Sequence, residues 1–297
     1  MKPRPIFRGA TYLVSRRCTQ REFLLTPTPR TTGIFGYCLA VAAKRFGILV
    51  HSVCVMSNHW HAVVTDPDAR LPAFLAYLHQ YVAKAINASL GRWENLWASE
   101  PPSQVRLLGP EDMLGETLYV ATNPVAAGLV KRAERWPGLL CYLPRHSRSF
   151  ERPTVFFRAC GPMPPRAVLS LMAPPAWSGR GAAAFEQKLR QLVREEEGRV
   201  ERELAANGRG FLGPKRVCAQ QPTARPRTRE TRRGLSPQVA GGGTGLRTAM
   251  LDRLKTFVAA YRQAWQCWRK GAHDVLFPAG TYALRVHAGV RCEPLLG

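Results

Sequence analysis

The stretch HSVCVMSNHWHAVVTDP, residues 51–67, decides the fold. Ser57-Asn58 is a turn-prone pair, and on either side of it lie apolar runs of strand length, ILVHSVCVMS and HWHAVVT. Two strands joined by so short a turn form an antiparallel hairpin. On a strand, residues i and i+2 face the same side, so His59 and His61 project together while Trp60 points the opposite way into a core. Two imidazoles side by side repel when protonated but can serve as neutral nitrogen ligands of one divalent cation. Two independently hydrogen-bonded histidines are the alternative, and the spacing alone does not choose between them.

ATYLVSRR (10–17) is a further β-like run. TTGIFGYCLAVAAKRFG (31–47) has helical spacing and closes on Gly47. RLPAFLAYLHQYVAKAINASLG (70–91) places Phe74, Leu78, Tyr81 or Val82, and Ile86 at turn intervals and ends at Gly91. GPEDMLGETLYVATNP (109–124) begins with Pro110, Glu111 and Asp112, which suit a helix start, and Pro124 is expected to stop it. The order of strands and helices predicts an α+β fold, an antiparallel sheet covered by helices, over residues 1–150.

The texture changes after residue 150. Residues 151–206 hold a Pro-rich passage, GPMPPRAVLSLMAPPAW, expected to be irregular, and a charged amphipathic helix over 182–206 with Phe185, Leu189, Leu192, Val193, Val200 and Leu204 on one side. Residues 207–245 read as a basic flexible linker, with eight basic residues and one acid over 209–233. Residues 246–297 read as a small helix–strand region, in which Leu254, Tyr261, Trp265 and Trp268 can share a helix face and FPAGTYALRVHAGVRC alternates like a strand. Together they make a basic, mostly helical C-terminal extension.

The charge balance points to a polyanionic partner. The 297 residues carry 43 Lys and Arg against 20 Asp and Glu, a net charge of +23. Nucleic acid is the usual partner of such a surplus. A GC-rich coding bias could account for Arg outnumbering Lys by 35 to 8, but not for the shortage of acids. Basic residues exceed acids by 18 to 9 before residue 151 and by 25 to 11 after it, so removing the extension is expected to weaken binding and flatten its salt dependence. Eight cysteines without a CxxC pair argue against a zinc finger or redox dithiol. With no apolar span of signal or membrane length, a cytoplasmic, nucleoid-associated protein without a membrane partner is expected.

A second constellation lies in ETLYVATNPVAAGLV, where Tyr119 and Asn123 stand i, i+4 on one helix face. Ordinary propensities read them as a core tyrosine and a capping asparagine. Joined to the histidines, they could supply an amide oxygen and a nucleophile beside a cation. VMSNHWHAVV, NLW and YVATNPVAAGLV, taken in this order, resemble the REP-associated tyrosine transposases, IS200-like members of the single-tyrosine HUH endonucleases; the resemblance covers roughly residues 8–137.

That resemblance implies a ferredoxin-like sheet, an HUH endonuclease fold, with His59, His61 and Asn123 as ligands of Mg²⁺ or Mn²⁺ and Tyr119 as nucleophile. It implies a transposase that cleaves and transfers hairpin-bearing single-stranded DNA through a 5′-phosphotyrosine intermediate. Arg16, Arg17 and Arg92 are candidates for holding phosphates, with solvated surface positions as the alternative reading. A homodimer could exchange helices between sites. Two rival functions remain: an inert DNA hairpin-binding module, and a metal-dependent phosphodiesterase that uses water. The chain departs from the family pattern at Trp97-Ala98-Ser99-Glu100, where relatives carry Trp-x-x-Arg, and at WPGLLCY (136–142), where they carry Trp-Ser-Ser-Tyr.

Overall fold

The computed structural model describes residues 3–228, 237–241 and 243–294. The first half is built from two split βαβ units. Strand β1 (Ala10–Arg17) leads to helix α1 (Pro29–Phe46) and strand β2 (Leu49–Val55). Strand β3 (His59–Asp66) leads to helix α2 (Leu71–Leu90) and strand β4 (Ser103–Leu107). These four strands lie side by side in the order β2-β3-β1-β4, every pair antiparallel, which is the ferredoxin-like arrangement. The α+β expectation holds. Short strands β5 (Leu140–Cys141) and β8 (Val239–Ala240) extend the sheet at its two edges, β8 running parallel to β4.

Local chemistry explains the boundaries. Thr28 caps α1 by accepting the Thr31 N–H at 3.0 Å, Pro29 occupies its first turn, and Gly47 ends it in a left-handed conformation that glycine adopts without cost. Apolar side chains of α1 and α2 cover one sheet face, and Trp60, fully buried, meets Phe35 and His79 edge-on there. The other face is covered by α3 (Pro110–Ala126) and, over it, by α4 (Ala182–Ala206). Cys38 and Cys54 are buried among apolar neighbours, and no helix among the described residues is long and apolar enough to cross a membrane.

Four expectations need correction. Pro124 does not stop α3, which runs on to Ala126. The missing N–H of Pro124 costs a single bond to Val120 near the helix end, and Ala127 and Leu129 close that end on Asn123 and Pro124 carbonyls. Secondly, the Pro-rich passage contains strand β7 (Arg166–Ser170), paired with β6 (Ser147–Glu151) in a two-stranded sheet against α1. Thirdly, within the expected linker the described part is ordered into α5 (Pro214–Cys218) and β8; residues 229–236 and 242 lie outside the described residues.

The fourth correction concerns the last segment. After α6 (Thr244–Arg269), residues expected to form a strand form helix α7 (Ala283–Ala288), ended by left-handed Gly289. Its neighbour is α6, through the cluster around Ala264, Phe277 and Val290, and a helix offers no edge for ladder hydrogen bonds. Tyr261 and Trp268 join that cluster, but Trp265 stands 38% exposed with Arg269 over its ring.

Candidate active site

The strand ladder places the histidines. Register pairs His61 with Ser15 and Cys54, and His59 with Arg17, so these side chains share the face covered by α3. Trp60 and its partner Arg16 occupy the opposite face. Helix α3 is held down by Val120, Ala121 and Val125, all buried. Its 3.6-residue period then turns Tyr119 and Asn123 toward the strand ends. The Tyr119 hydroxyl lies 3.5 Å from His61 Nε2, the two rings being 5.2 Å apart, and the two imidazoles are 4.8 Å apart. The Asn123 amide is within reach of both His59 and Tyr119. Residues 58 positions apart in sequence thus meet, with Tyr119 still 43% exposed.

The electrostatics suit neutral ligands. Desolvation holds His59 down at about 4, and it holds His61 well below the ordinary histidine range, with His59 adding to the shift. Both are uncharged at neutral pH. His59 Nδ1 lies 2.6 Å from Asn58 Oδ1, and Asn58 Nδ2 donates to the Arg21 carbonyl at 3.2 Å. The amide is therefore oriented with its oxygen toward His59, so Nδ1 carries the proton and Nε2 keeps its lone pair. Among the described residues, the buried His61 Nδ1 has no hydrogen-bond partner. Among the described residues no three His, Cys, Asp or Glu side chains converge, so the third protein ligand of a cation here would be the Asn123 amide oxygen. Two neutral nitrogens and one amide oxygen fit a small divalent cation that keeps further positions for phosphate oxygens.

Desolvation also raises the Tyr119 pKa above that of a free phenol, against the lowering effect of the Asn123 hydrogen bond. Protein groups alone keep Tyr119 protonated, so any use of it as a nucleophile would call for positive charge beside it.

The three arginines are placed differently from one another. Arg17 is on the site face and pairs with Glu100 at 3.0 Å. Arg16 helps wall a cavity that His59 and His61 also line, but its guanidinium lies over the Trp97 ring at 5.5 Å. Arg92 is tied to Glu22 at 3.7 Å, away from that wall. Sequence reasoning missed Arg21, Asn58 and Gln220, which line a cavity of about 1220 Å³ together with His59 and His61. Arg21 follows Gln20, and both non-glycine residues have positive φ, 61° and 48°. Such strain, about 1–2 kcal/mol per residue, tends to gather at functional sites. Nothing in the pattern around TQRE announces it.

The class defined by fold and site is a ferredoxin-like α+β protein bearing two histidines on a central strand and a tyrosine on the helix above them. Among solved structures, the chain is similar to a REP-associated tyrosine transposase bound to a REP hairpin, with a TM-score of 0.38 and 18% identity over 45% of this chain and 77% of that one. It is also similar to a candidate transposase from Deinococcus radiodurans R1, with a TM-score of 0.27 and 14% identity over 32% of this chain and 76% of that one. No family model and no curated protein matches the chain. Likeness at this level assigns no activity.

Proposed function

We propose that the chain is a transposase-like enzyme that cleaves and rejoins hairpin-bearing single-stranded DNA with Tyr119 as nucleophile. The observation that carries this reading is the convergence of Tyr119, His61, His59 and Asn123, with the phenol 3.5 Å from His61 Nε2. All four come from one chain, so a homodimer is not required to complete the set.

His59, His61 and Asn123 would hold Mg²⁺ or Mn²⁺, which when bound would polarise a non-bridging oxygen of the scissile phosphate. Tyr119 is held on a helix rather than a loop, which fixes its hydroxyl relative to the strand beneath. Its oxygen would form a bond to phosphorus as the 3′ oxygen leaves, giving a 5′-phosphotyrosyl enzyme and a free 3′-hydroxyl. Because one phosphoester replaces another, a second DNA hydroxyl can reverse the step and join strands.

The test is incubation with labelled hairpin-bearing single-stranded DNA and Mn²⁺, followed by denaturing electrophoresis. A denaturation-resistant adduct in the wild type, lost in Tyr119→Phe with DNA binding retained, supports the reading. Cleavage that survives Tyr119→Phe would instead assign hydrolysis by water. Binding without cleavage in the wild type would make the chain an inert hairpin-binding module.

A further inference from the structure

Residues 212–228, beyond the resembling segment, turn back over the cavity that contains His59 and His61. This strap is fastened along its length. Leu212 and Gly213 donate to the Gly128 and Leu129 carbonyls just after α3, both at 2.9 Å. Val217 is buried in the apolar cluster that also holds the inner faces of α3 and α4. The Ser57 hydroxyl reaches Gln220 Oε1 at 3.4 Å, Phe23 N–H donates to the Ala224 carbonyl at 2.9 Å, and Arg225 pairs with Glu22 at 2.9 Å. At its far end the strained Arg21 donates from its guanidinium to the Thr228 carbonyl at 2.7 Å.

The strap's inner side, through Gln220, Pro226, Arg227 and Thr228, walls the same cavity as the histidines. Among the described residues, five arginines and one carboxylate line that cavity. At about 1220 Å³ it exceeds the roughly 300–1,000 Å³ of a typical small-molecule pocket. A space that is large, cationic and bridged on one side suits an extended polyanion.

We propose that residues 212–228 form the second wall of a channel for single-stranded nucleic acid. One strand passes between the strap and the histidine-bearing strand, its phosphates held by Arg21 and Arg227 and its unpaired bases meeting the Gln220 amide. This inference rests on the proposed reading of the site as one that processes DNA, but it concerns binding and can stand if the chemistry does not.

The experiment compares the full chain with Arg227→Glu, with Gln220→Ala, and with Arg262→Glu, an exposed arginine of α6 that gives the same charge change away from the cavity. Binding of a labelled single strand is titrated in EDTA over a range of salt, with a fully paired duplex of the same length as competitor. Arg227→Glu is expected to weaken single-strand binding about tenfold and to reduce the salt slope by about 0.7, the value for one lost phosphate contact. Gln220→Ala should weaken it severalfold without altering the slope, and Arg262→Glu should change it less than twofold. Equal losses in Arg227→Glu and Arg262→Glu, or a duplex that competes as well as the single strand, would overturn the channel. An adduct formed by the wild type alongside unimpaired binding in Arg227→Glu would keep the chemistry and discard the strap. Loss of binding in Arg227→Glu with no adduct from the wild type would do the reverse.

Discussion

Asn58 precedes the histidine pair and holds one of them in a single tautomer, through a 2.6 Å contact that its own bond to the Arg21 carbonyl keeps in place. Partners of this kind typically contribute 10- to 100-fold to the affinity of the ligand they orient. Asn58→Ala is accordingly expected to weaken Mn²⁺ binding by about that range in calorimetric titration, with the fold unchanged by circular dichroism. His51 shows the opposite use of a histidine. It is fully buried, its Nδ1 donates to the Met172 carbonyl at 2.8 Å, and its Nε2 accepts from Thr65 at 2.7 Å. Desolvation lowers its pKa from 6.5 to about 4. The unfolded chain therefore takes up a proton below pH 6.5 that the folded chain refuses until about pH 4. The contribution of His51 to stability is complete above pH 6.5 and is lost across that window, on the order of 3 kcal/mol. Thermal melts from pH 7 to 4 should show this fall, and His51→Gln should make it shallower.

Between elements, close packing sets the tolerances. Gly36 sits mid-helix in α1, where alanine would ordinarily gain up to about 1 kcal/mol in helix propensity. A methyl group there would occupy the space of the Phe150 ring, which β6 lays against the helix. Overpacking typically costs about 1–3 kcal/mol, so the clash wins. Gly36→Ala should lower the urea midpoint, and Phe150→Leu added to it should recover part of the loss; an unchanged midpoint in the single variant would show that β6 does not bear on α1. The same contact explains why the Pro-rich passage is not irregular. Leu169 and Ala167 of β7 complete the apolar cover that Phe150 begins, a reward that proline content alone does not reveal.

For the whole molecule, the extension is part of the core. Phe185, Leu189, Val193 and Val200 of α4 are buried against the outer side of α3. Burial of four such side chains contributes at most about 6–12 kcal/mol, comparable with the whole stability of an ordinary domain. Buried Glu197 adds a directional tie by accepting the Ala133 N–H at 2.7 Å. A fragment ending at residue 150 is therefore expected to lose its cooperative melt, which circular dichroism would show. Its weakened DNA binding would then report unfolding as well as lost charge, so point variants on the strap are the sounder probe of the extension.

What was legible in the residues was whatever depends on local periodicity. The hairpin around Ser57-Asn58, the common face of His59 and His61, the helices ended by Gly47 and Gly91, and the i, i+4 placement of Tyr119 and Asn123 all follow from periods of 2 and 3.6 residues. The α7 segment shows where that rule fails, because a short alternating run becomes a strand only where a sheet edge is available. Only the tertiary structure decided that the tyrosine meets the histidines, that Arg16 and Arg17 face opposite sides, and that a segment two hundred residues from Arg21 closes over the same cavity. Those meetings depend on register and on which apolar faces find each other across the chain, and no local pattern encodes them.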